Sequence, residues 1–173
     1  YTIGTGGSSI VALLRDHLCP RLIGRDANEI EAIWKSLFFA THATAVGAIT
    51  SLALCAIDMA LWDLKCLGSG RPLWQEAGGA QRSVPLYTTE GGWLHIDKAA
   101  LVDDALLAKE KGFGGSKVKV GRPHVSEDVE RLAAVRTAVG PGFDIMTDAN
   151  QAFTVPEAIR RAHAFDGLDL AWL

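Results

Sequence analysis

The stretch Ser116-Lys117-Val118-Lys119-Val120 places two lysines one residue apart inside an apolar run that is rich in β-branched side chains. Alternate side chains of a β-strand point to opposite faces, so both lysines face one side and both valines face the other. Two neighbouring cations on a partly buried wall favour loss of a proton from one of them, which would make that lysine a general base. The motif also fits an edge strand whose lysines oppose aggregation.

Strands and helices alternate on both sides of this stretch. The predicted strands are residues 84–88, 116–120, 143–147 and 168–173, and the predicted helices between them are residues 98–111, 127–139 and 155–165. This alternation indicates an α/β fold with a parallel sheet and helical crossovers. Since no glycine fingerprint of a dinucleotide site follows the first strand, the better fit is the first half of a (β/α)8 barrel.

The first 80 residues have a different, mostly helical pattern. Residues 1–3 are predicted to end a strand, and residues 10–18, 26–39, 44–65 and 72–76 are predicted helices. The helix at 44–65 is apolar nearly all round, which predicts packing on several sides, with Asp58 and Asp63 as capping or ion-pairing residues. Residues 4–9 are glycine-rich but lack phosphate-loop spacing, so we expect a serine-capped helix start.

Composition narrows the classes of partner and compartment. The chain has 173 residues, 49% of them hydrophobic, and a formal net charge of −3 without a basic stripe, so nucleic acid and anionic membranes are poor candidates. Three widely spaced cysteines favour reduced thiols and a cytoplasmic protein. The apolar run at 43–57 is too short to span a bilayer, and residues 1–7 lack the features of a signal peptide.

Polar side chains follow three successive predicted strands. The first strand leads into a polar loop at residues 88–95, the second carries the two lysines, and the third ends in Asp148-Ala149-Asn150-Gln151. The carboxyl ends of parallel strands lie at one mouth, and i, i+2 spacing puts Asp148 and Asn150 on the same side. A carboxylate there can bind a hard cation. The alternative, a capping turn into the next helix, is weaker once the paired lysines are considered together with it.

Four segments of the chain together resemble the enolase superfamily, and within it the mandelate racemase and muconate-lactonising branch. They are residues 56–64, 72–79, 116–120 and 147–151. The resemblance covers nearly the whole chain. It implies a modified (β/α)8 TIM barrel, with residues 81–173 forming its first four βα units and residues 1–80 forming part of an α+β capping domain. It also implies Mg2+-dependent removal of the proton next to a carboxylate, as enolase-superfamily sites perform it.

The resemblance also implies roles for individual residues. Lys119 would be the base that removes the proton, and Lys117 would neutralise the substrate carboxylate. Asp148 would be the first Mg2+ ligand, and Asn150 a polar group beside the metal and the substrate. The loop after the first strand is similar to that of acid-sugar dehydratases of the galactarate/talarate type. Its substrate-binding candidates are Thr89, Trp93 and His95.

We therefore expect an Mg2+-dependent lyase that dehydrates an acid sugar, binds a small-molecule carboxylate and forms homo-oligomers. A racemase, epimerase or cycloisomerase shares the first half-reaction and stays open, because dehydration needs an acid for the leaving group whereas racemisation needs a second base. The resemblance also implies two further acidic metal ligands and a second catalytic group beyond Leu173. The chain therefore looks like a fragment, and a truncated, catalytically incomplete module is the alternative of another class.

Overall fold

The computed structural model describes residues 4–44 and 47–173, so the strand end predicted at residues 1–3 lies outside the described residues. The chain divides into two compact units, Tyr1–Arg82 and Ser83–Leu173. Within the described ranges, no helix combines the length and the apolar character needed to cross a membrane.

The described part of the first unit is helical. In chain order it contains α1 (Gly7–Leu13), a π-helical turn (Leu14–Leu18), a 3-10 turn (Cys19–Arg21), α2 (Ile30–Ala40), a second 3-10 turn (His42–Thr44), α3 (Ala48–Ser69) and α4 (Leu73–Glu76). Apolar side chains spaced three and four residues apart on α1 to α3 meet in one core. Its buried members are Ile10, Leu18, Ile33, Leu37, Ala53, Leu54 and Ile57.

Two helix starts differ from the sequence expectation. α1 begins at Gly7 behind a left-handed Gly6, and no side chain caps it, so the expected serine cap is wrong. α2 begins at Ile30, four residues later than predicted, because the backbone N–H of Asn28 donates to the Asp26 carboxylate in a local turn.

The expectation that α3 packs on several sides is confirmed only in part among the described residues. α3 contacts α1, α2 and α4, and its buried residues are Thr50, Ala53, Leu54 and Ile57. Met59 and Leu67 on its other faces are exposed. Asp58 and Asp63 form no ion pair within the part of the chain that the structure describes.

The second unit is a parallel sheet covered by helices. In chain order it contains β1 (Tyr87–Thr88), α5 (Lys98–Glu110), β2 (Gly115–Lys119), α6 (Val125–Val139), β3 (Asp144–Asp148), α7 (Val155–Phe165) and a 3-10 turn (Asp166–Leu168). The strand order is β1-β2-β3, and both pairs are parallel. The predicted α/β fold with helical crossovers is therefore confirmed, and α7 has its predicted bounds.

The two outer predicted strands are shorter than expected. β1 contains only Tyr87–Thr88, and Pro85, two residues before it, has no N–H to donate to a neighbouring strand. In place of the strand predicted at 168–173, a 3-10 turn ends at the left-handed Asp169. Only residues 171–172 then reach β3, where Trp172 accepts a hydrogen bond from the backbone of Thr147 at 2.9 Å.

One face of the sheet is packed against the helices, and the other is concave. Val118 and Val120 pack against α5 to α7 in the core, so the alternating Lys117 and Lys119 side chains point to the opposite face. The rings of Tyr87 and Trp172, from opposite edges of the sheet, meet with their centroids 6.1 Å apart. The buried residues of this core are Leu101, Ala105, Ala108, Val118, Val120, Leu132, Val135, Val139, Phe143, Ile145 and Phe165.

Candidate active site

Two lysines and one aspartate meet on the concave face of the sheet. The register of β2 and β3 pairs Lys119 with Asp148, so their side chains point the same way from neighbouring strands. The Nζ atoms of Lys119 and Lys117 lie 2.5 and 2.9 Å from the same Oδ2 atom of Asp148. All three side chains are largely buried, with 15 to 27% of their surface exposed. The strand pairing therefore produces a compact group of two amines around one carboxylate.

This carboxylate sets the electrostatics of the group. Hydrogen bonds from Lys119, from the backbone N–H of Asn150 and from Lys117 hold the pKa of Asp148 far below its usual range. Asp148 is therefore ionised throughout the physiological pH range. Its negative charge lies between the two lysine ammonium groups and offsets the repulsion expected between them.

Asn150 reaches the group by a different route from the one expected. The i, i+2 strand geometry predicted for Asp148 and Asn150 is wrong, because β3 ends at Asp148 and Asn150 has a left-handed φ of 49°. Its backbone N–H donates to Oδ1 of Asp148 at 2.8 Å, which closes a tight turn. The turn brings Oδ1 of Asn150 to 2.5 Å from Nζ of Lys119. The capping alternative is also wrong, since α7 starts only at Val155.

A cavity of about 650 Å³ opens beside Lys119, and it is lined by residues that follow all three strands. Trp93 and His95 come from the segment after β1, and Nζ of Lys119 lies 5.8 Å from the centroid of the Trp93 ring. Asn150 lines the same cavity. Thr89 is exposed at the end of β1 and is not among the lining residues. The structure thus groups Trp93, His95 and Asn150 with Lys119, and leaves Thr89 apart.

Sequence reasoning missed three charged residues near this cavity. Arg122 lines it directly, and its side chain forms no ion pair within residues 4–44 and 47–173. Asp128 and Arg131 lie behind the lining, buried on α6. One signal for Asp128 was present, because it shares a stripe with the core residues Leu132 and Val135 at helical spacing. Arg122 had no comparable signal, since its position depends on the path of a loop.

The oxygen atoms beside Lys119 are of the kind that bind a hard divalent cation. The Asp148 carboxylate and the Asn150 amide offer oxygen atoms, and Mg2+ is usually held by one or two carboxylates together with substrate oxygens and water. The described residues, those of this site included, contain no group of three or more His, Cys, Asp or Glu side chains that could hold a metal ion. Asp148 supplies the carboxylate of the group that also contains Lys117, Lys119 and Asn150.

Comparisons with known proteins add an independent line of evidence. Residues 2–78 match the family model described as mandelate racemase / muconate lactonizing enzyme, N-terminal domain. Residues 100–173 match the model described as enolase C-terminal domain-like.

Individual relatives agree with these matches. The chain is 40% identical over 174 residues to a 3,6-anhydro-alpha-L-galactonate cycloisomerase from Streptomyces coelicolor, covering 100% of this chain and 48% of that protein. The crystal structure of a racemase from Streptomyces coelicolor with bound magnesium superposes with a TM-score of 0.91 at 39% identity, over 99% of this chain and 51% of the other.

A third similar protein is a dehydratase. The crystal structure of L-talarate/galactarate dehydratase from Salmonella typhimurium LT2, liganded with Mg and L-lyxarohydroxamate, has a TM-score of 0.89 at 36% identity. The match covers 99% of this chain and 44% of the dehydratase. The chain thus spans about half the length of the relatives it matches.

Proposed function

The chain belongs to the mandelate racemase/muconate lactonizing enzyme family of the enolase superfamily, and on that premise we propose that it supplies the proton-abstracting half of an acid-sugar dehydratase site. The observation that carries the proposal is the group formed by Lys117, Lys119 and Asp148 on the concave face of the sheet. Nζ of Lys119 borders a cavity large enough for a sugar acid.

Lys119 is the proposed base. In its neutral form its amine removes the proton next to the substrate carboxylate, and the side chain is held in place by Asp148 and Asn150. Lys117 presents its ammonium two residues away on the same face, where it attracts the substrate carboxylate and stabilises the negative charge that develops when the proton leaves. Trp93 and His95 form the wall against which the sugar carbons and hydroxyls lie.

Asp148 is the proposed first ligand of Mg2+. When bound, the ion supplies Lewis-acid stabilisation of the negative charge on the carboxylate oxygens of the substrate. The support from relatives is that the Streptomyces coelicolor racemase and the Salmonella typhimurium dehydratase were both solved with this metal. Thr89 remains a candidate for substrate contact, although it does not line the cavity.

A cycloisomerase or racemase activity is the second candidate. It is favoured by the 40% identity to a 3,6-anhydro-alpha-L-galactonate cycloisomerase and by the structural match to a racemase. These reactions also begin by removing the proton next to a carboxylate, so Lys119 and Lys117 have the same roles in both candidates. The product separates them, since dehydration releases water whereas the isomerases conserve the composition of the substrate.

The test is proton exchange in D2O. The full-length protein is incubated with Mg2+ and a panel of acid sugars, and NMR follows loss of the signal of the proton next to the carboxylate. Replacing the base should slow this exchange by about 10²–10⁴-fold, so we expect that loss for Lys119→Met. The control is Lys111→Met. Lys111 is an exposed lysine directly after the C-terminal end of α5, so its replacement should leave the exchange rate unchanged.

Two outcomes would contradict the proposal. If Lys119→Met exchanges as fast as the unaltered protein, Lys119 is not the base. If no acid sugar in the panel exchanges or reacts, the proposed substrate class is wrong. Where exchange occurs, an unsaturated keto-acid product supports a dehydratase, and an epimer or ring-opened isomer supports the second candidate.

The surroundings of the site are proposed with it. We assign residues 1–80 to part of a capping domain and residues 81–173 to the first four βα units of a barrel. Cys19, Cys55 and Cys66 are free thiols, which supports the proposed cytoplasmic location. Association into homo-oligomers remains a prediction, and size-exclusion chromatography with light scattering would test it.

A further inference from the structure

Arg131 on α6 is a buried cation without a carboxylate partner among the described residues. Its exposed fraction is 6%, and burial lowers the pKa of its guanidinium. The guanidinium donates to the backbone carbonyl oxygens of Ile96 and Trp93, the latter at 3.1 Å, while Nε has no partner in that part of the chain. A charge placed this way is costly, and an apolar residue would fill the space with less penalty. An arginine at this position therefore serves to make the two hydrogen bonds to carbonyl oxygens.

Those carbonyls belong to the 93–96 turn, which comprises residues 93–96 between β1 and α5 and includes three residues of the cavity wall. Gly92, the residue directly before the turn, is attached to β2, because its carbonyl oxygen accepts a hydrogen bond from the backbone N–H of Lys119 at 2.7 Å. Arg131 thus holds the side of the turn that β2 does not reach. The position of the Trp93 ring beside Nζ of Lys119 depends on both attachments.

Asp128, about one helical turn before Arg131, makes comparable contacts to a second segment of the cavity lining. It is fully buried and accepts hydrogen bonds from the backbone N–H groups of Gly121 and Arg122 at 2.9 and 3.3 Å. Its carboxylate also pairs with Arg161 of α7, which donates to the carbonyl of Arg122 at 2.9 Å. These backbone groups belong to the 121–123 loop, which comprises residues 121–123 and lines the cavity directly after β2.

We propose that Asp128 and Arg131 are positioning residues that hold the two cavity walls separately, Arg131 the 93–96 turn and Asp128 the 121–123 loop. Neither residue touches the substrate. Together they fix the width of the cavity beside Lys119 and so set how tightly the sugar part of an acid sugar is bound. That the two residues hold the walls follows from their hydrogen bonds alone. That they affect substrate affinity rests on the proposed function.

Hydrogen–deuterium exchange measured by mass spectrometry on the full-length protein separates the two contacts. Loss of a buried hydrogen-bonding partner should raise local opening by roughly tenfold. We expect Arg131→Met to speed exchange to that extent in the peptide covering 93–97 and to leave the peptide covering 121–124 within about twofold. Asp128→Asn should give the reverse pattern. Arg131→Lys retains the charge and a donor, so it should fall between Arg131→Met and the unaltered protein.

The control for general destabilisation is Leu132→Ala, a fully buried core position on the same helix. It should speed exchange in both peptides alongside the rest of the second unit, with no preference for either wall. If Arg131→Met or Asp128→Asn affects both peptides equally, or if Leu132→Ala reproduces either selective pattern, the proposed division of roles is wrong.

Steady-state kinetics with an acid sugar test the functional part. Both variants should raise KM by roughly tenfold and change kcat by less than about threefold, because the walls bind the substrate whereas β2 and β3 hold the base. Unchanged KM values would overturn the link to substrate binding. If the unaltered protein turns over no acid sugar, the proposed function fails, and the exchange experiment still decides whether the two residues hold the walls.

Discussion

Gly92→Ala is the substitution whose effect follows most directly from the geometry. Gly92 is buried where the segment after β1 crosses β2. A Cβ atom added there would lie 2.0 Å from the carbonyl oxygen of Lys117 and 3.0 Å from its carbonyl carbon. Both neighbours are backbone atoms of a central strand, so no side-chain rotation relieves the overlap. The chain around Gly92 must instead move away from β2.

The size of that movement sets the expected loss of stability. Ordinary contact begins near 3.4 Å, so the two segments must separate by about 1.4 Å. That shift also breaks the hydrogen bond from the Lys119 N–H to the Gly92 carbonyl, now 2.7 Å long. Overpacking costs about 1–3 kcal/mol and a lost hydrogen bond about 1 kcal/mol, so the free energy of unfolding should fall by about 2–4 kcal/mol.

Urea denaturation followed by circular dichroism measures this loss, with Gly142→Ala as the matched control. Gly142 lies in the turn before β3, has no positive φ, and has nothing within 4 Å of an added Cβ. Alanine there should be neutral or stabilise the protein by up to about 1 kcal/mol. If Gly92→Ala lies within about 0.5 kcal/mol of the unaltered protein, the close approach of this segment to β2 is wrong.

The remaining predictions concern two carboxylates. Asp148→Asn should weaken Mg2+ binding at least about tenfold in isothermal titration calorimetry. Asp144→Asn, at the exposed start of the same strand, should leave Mg2+ affinity unchanged. Equal losses of affinity would contradict the proposal that Asp148 is an Mg2+ ligand. Ion pairs with Arg160 and then Arg161 lower the pKa of Glu157 to about 2, so they stabilise the fold above the ordinary carboxyl pKa of 4.5. The stability difference between the unaltered protein and Glu157→Gln should therefore be constant from pH 5 to 8 and shrink as the pH falls toward 2. A difference that grows on acidification would refute this.

The alternation of strands and helices in the second unit was predictable, because it depends on local periodicity. Val118 and Val120 alternate with the two lysines, and this pattern alone fixes which side chains share a face. The bounds of α7 were predicted correctly for the same reason. At residues 168–173 the prediction failed, because an apolar run does not reveal that Asp169 adopts a left-handed conformation and interrupts the strand.

The contacts around Lys119 show where local reasoning ends. Asn150 was assigned to the right neighbourhood with the wrong geometry, since a turn closed by Asp148 replaces the expected extended backbone. Arg131 was overlooked because a charged residue on an amphipathic helix ordinarily faces water. Its burial follows from the path of the 93–96 turn, which passes over α6 and presents two carbonyl groups to it.

The sequence by itself determined the order of the β/α units and the common face of Lys117 and Lys119, because each follows from side-chain spacing within a single element. Only the tertiary structure decided that Asp148 lies between those lysines and that Asp128 and Arg131 bond to two separate segments that line one cavity. Those relations join residues between 7 and 38 positions apart. They depend on strand register and loop path, which the packing of the whole unit fixes and no local pattern encodes.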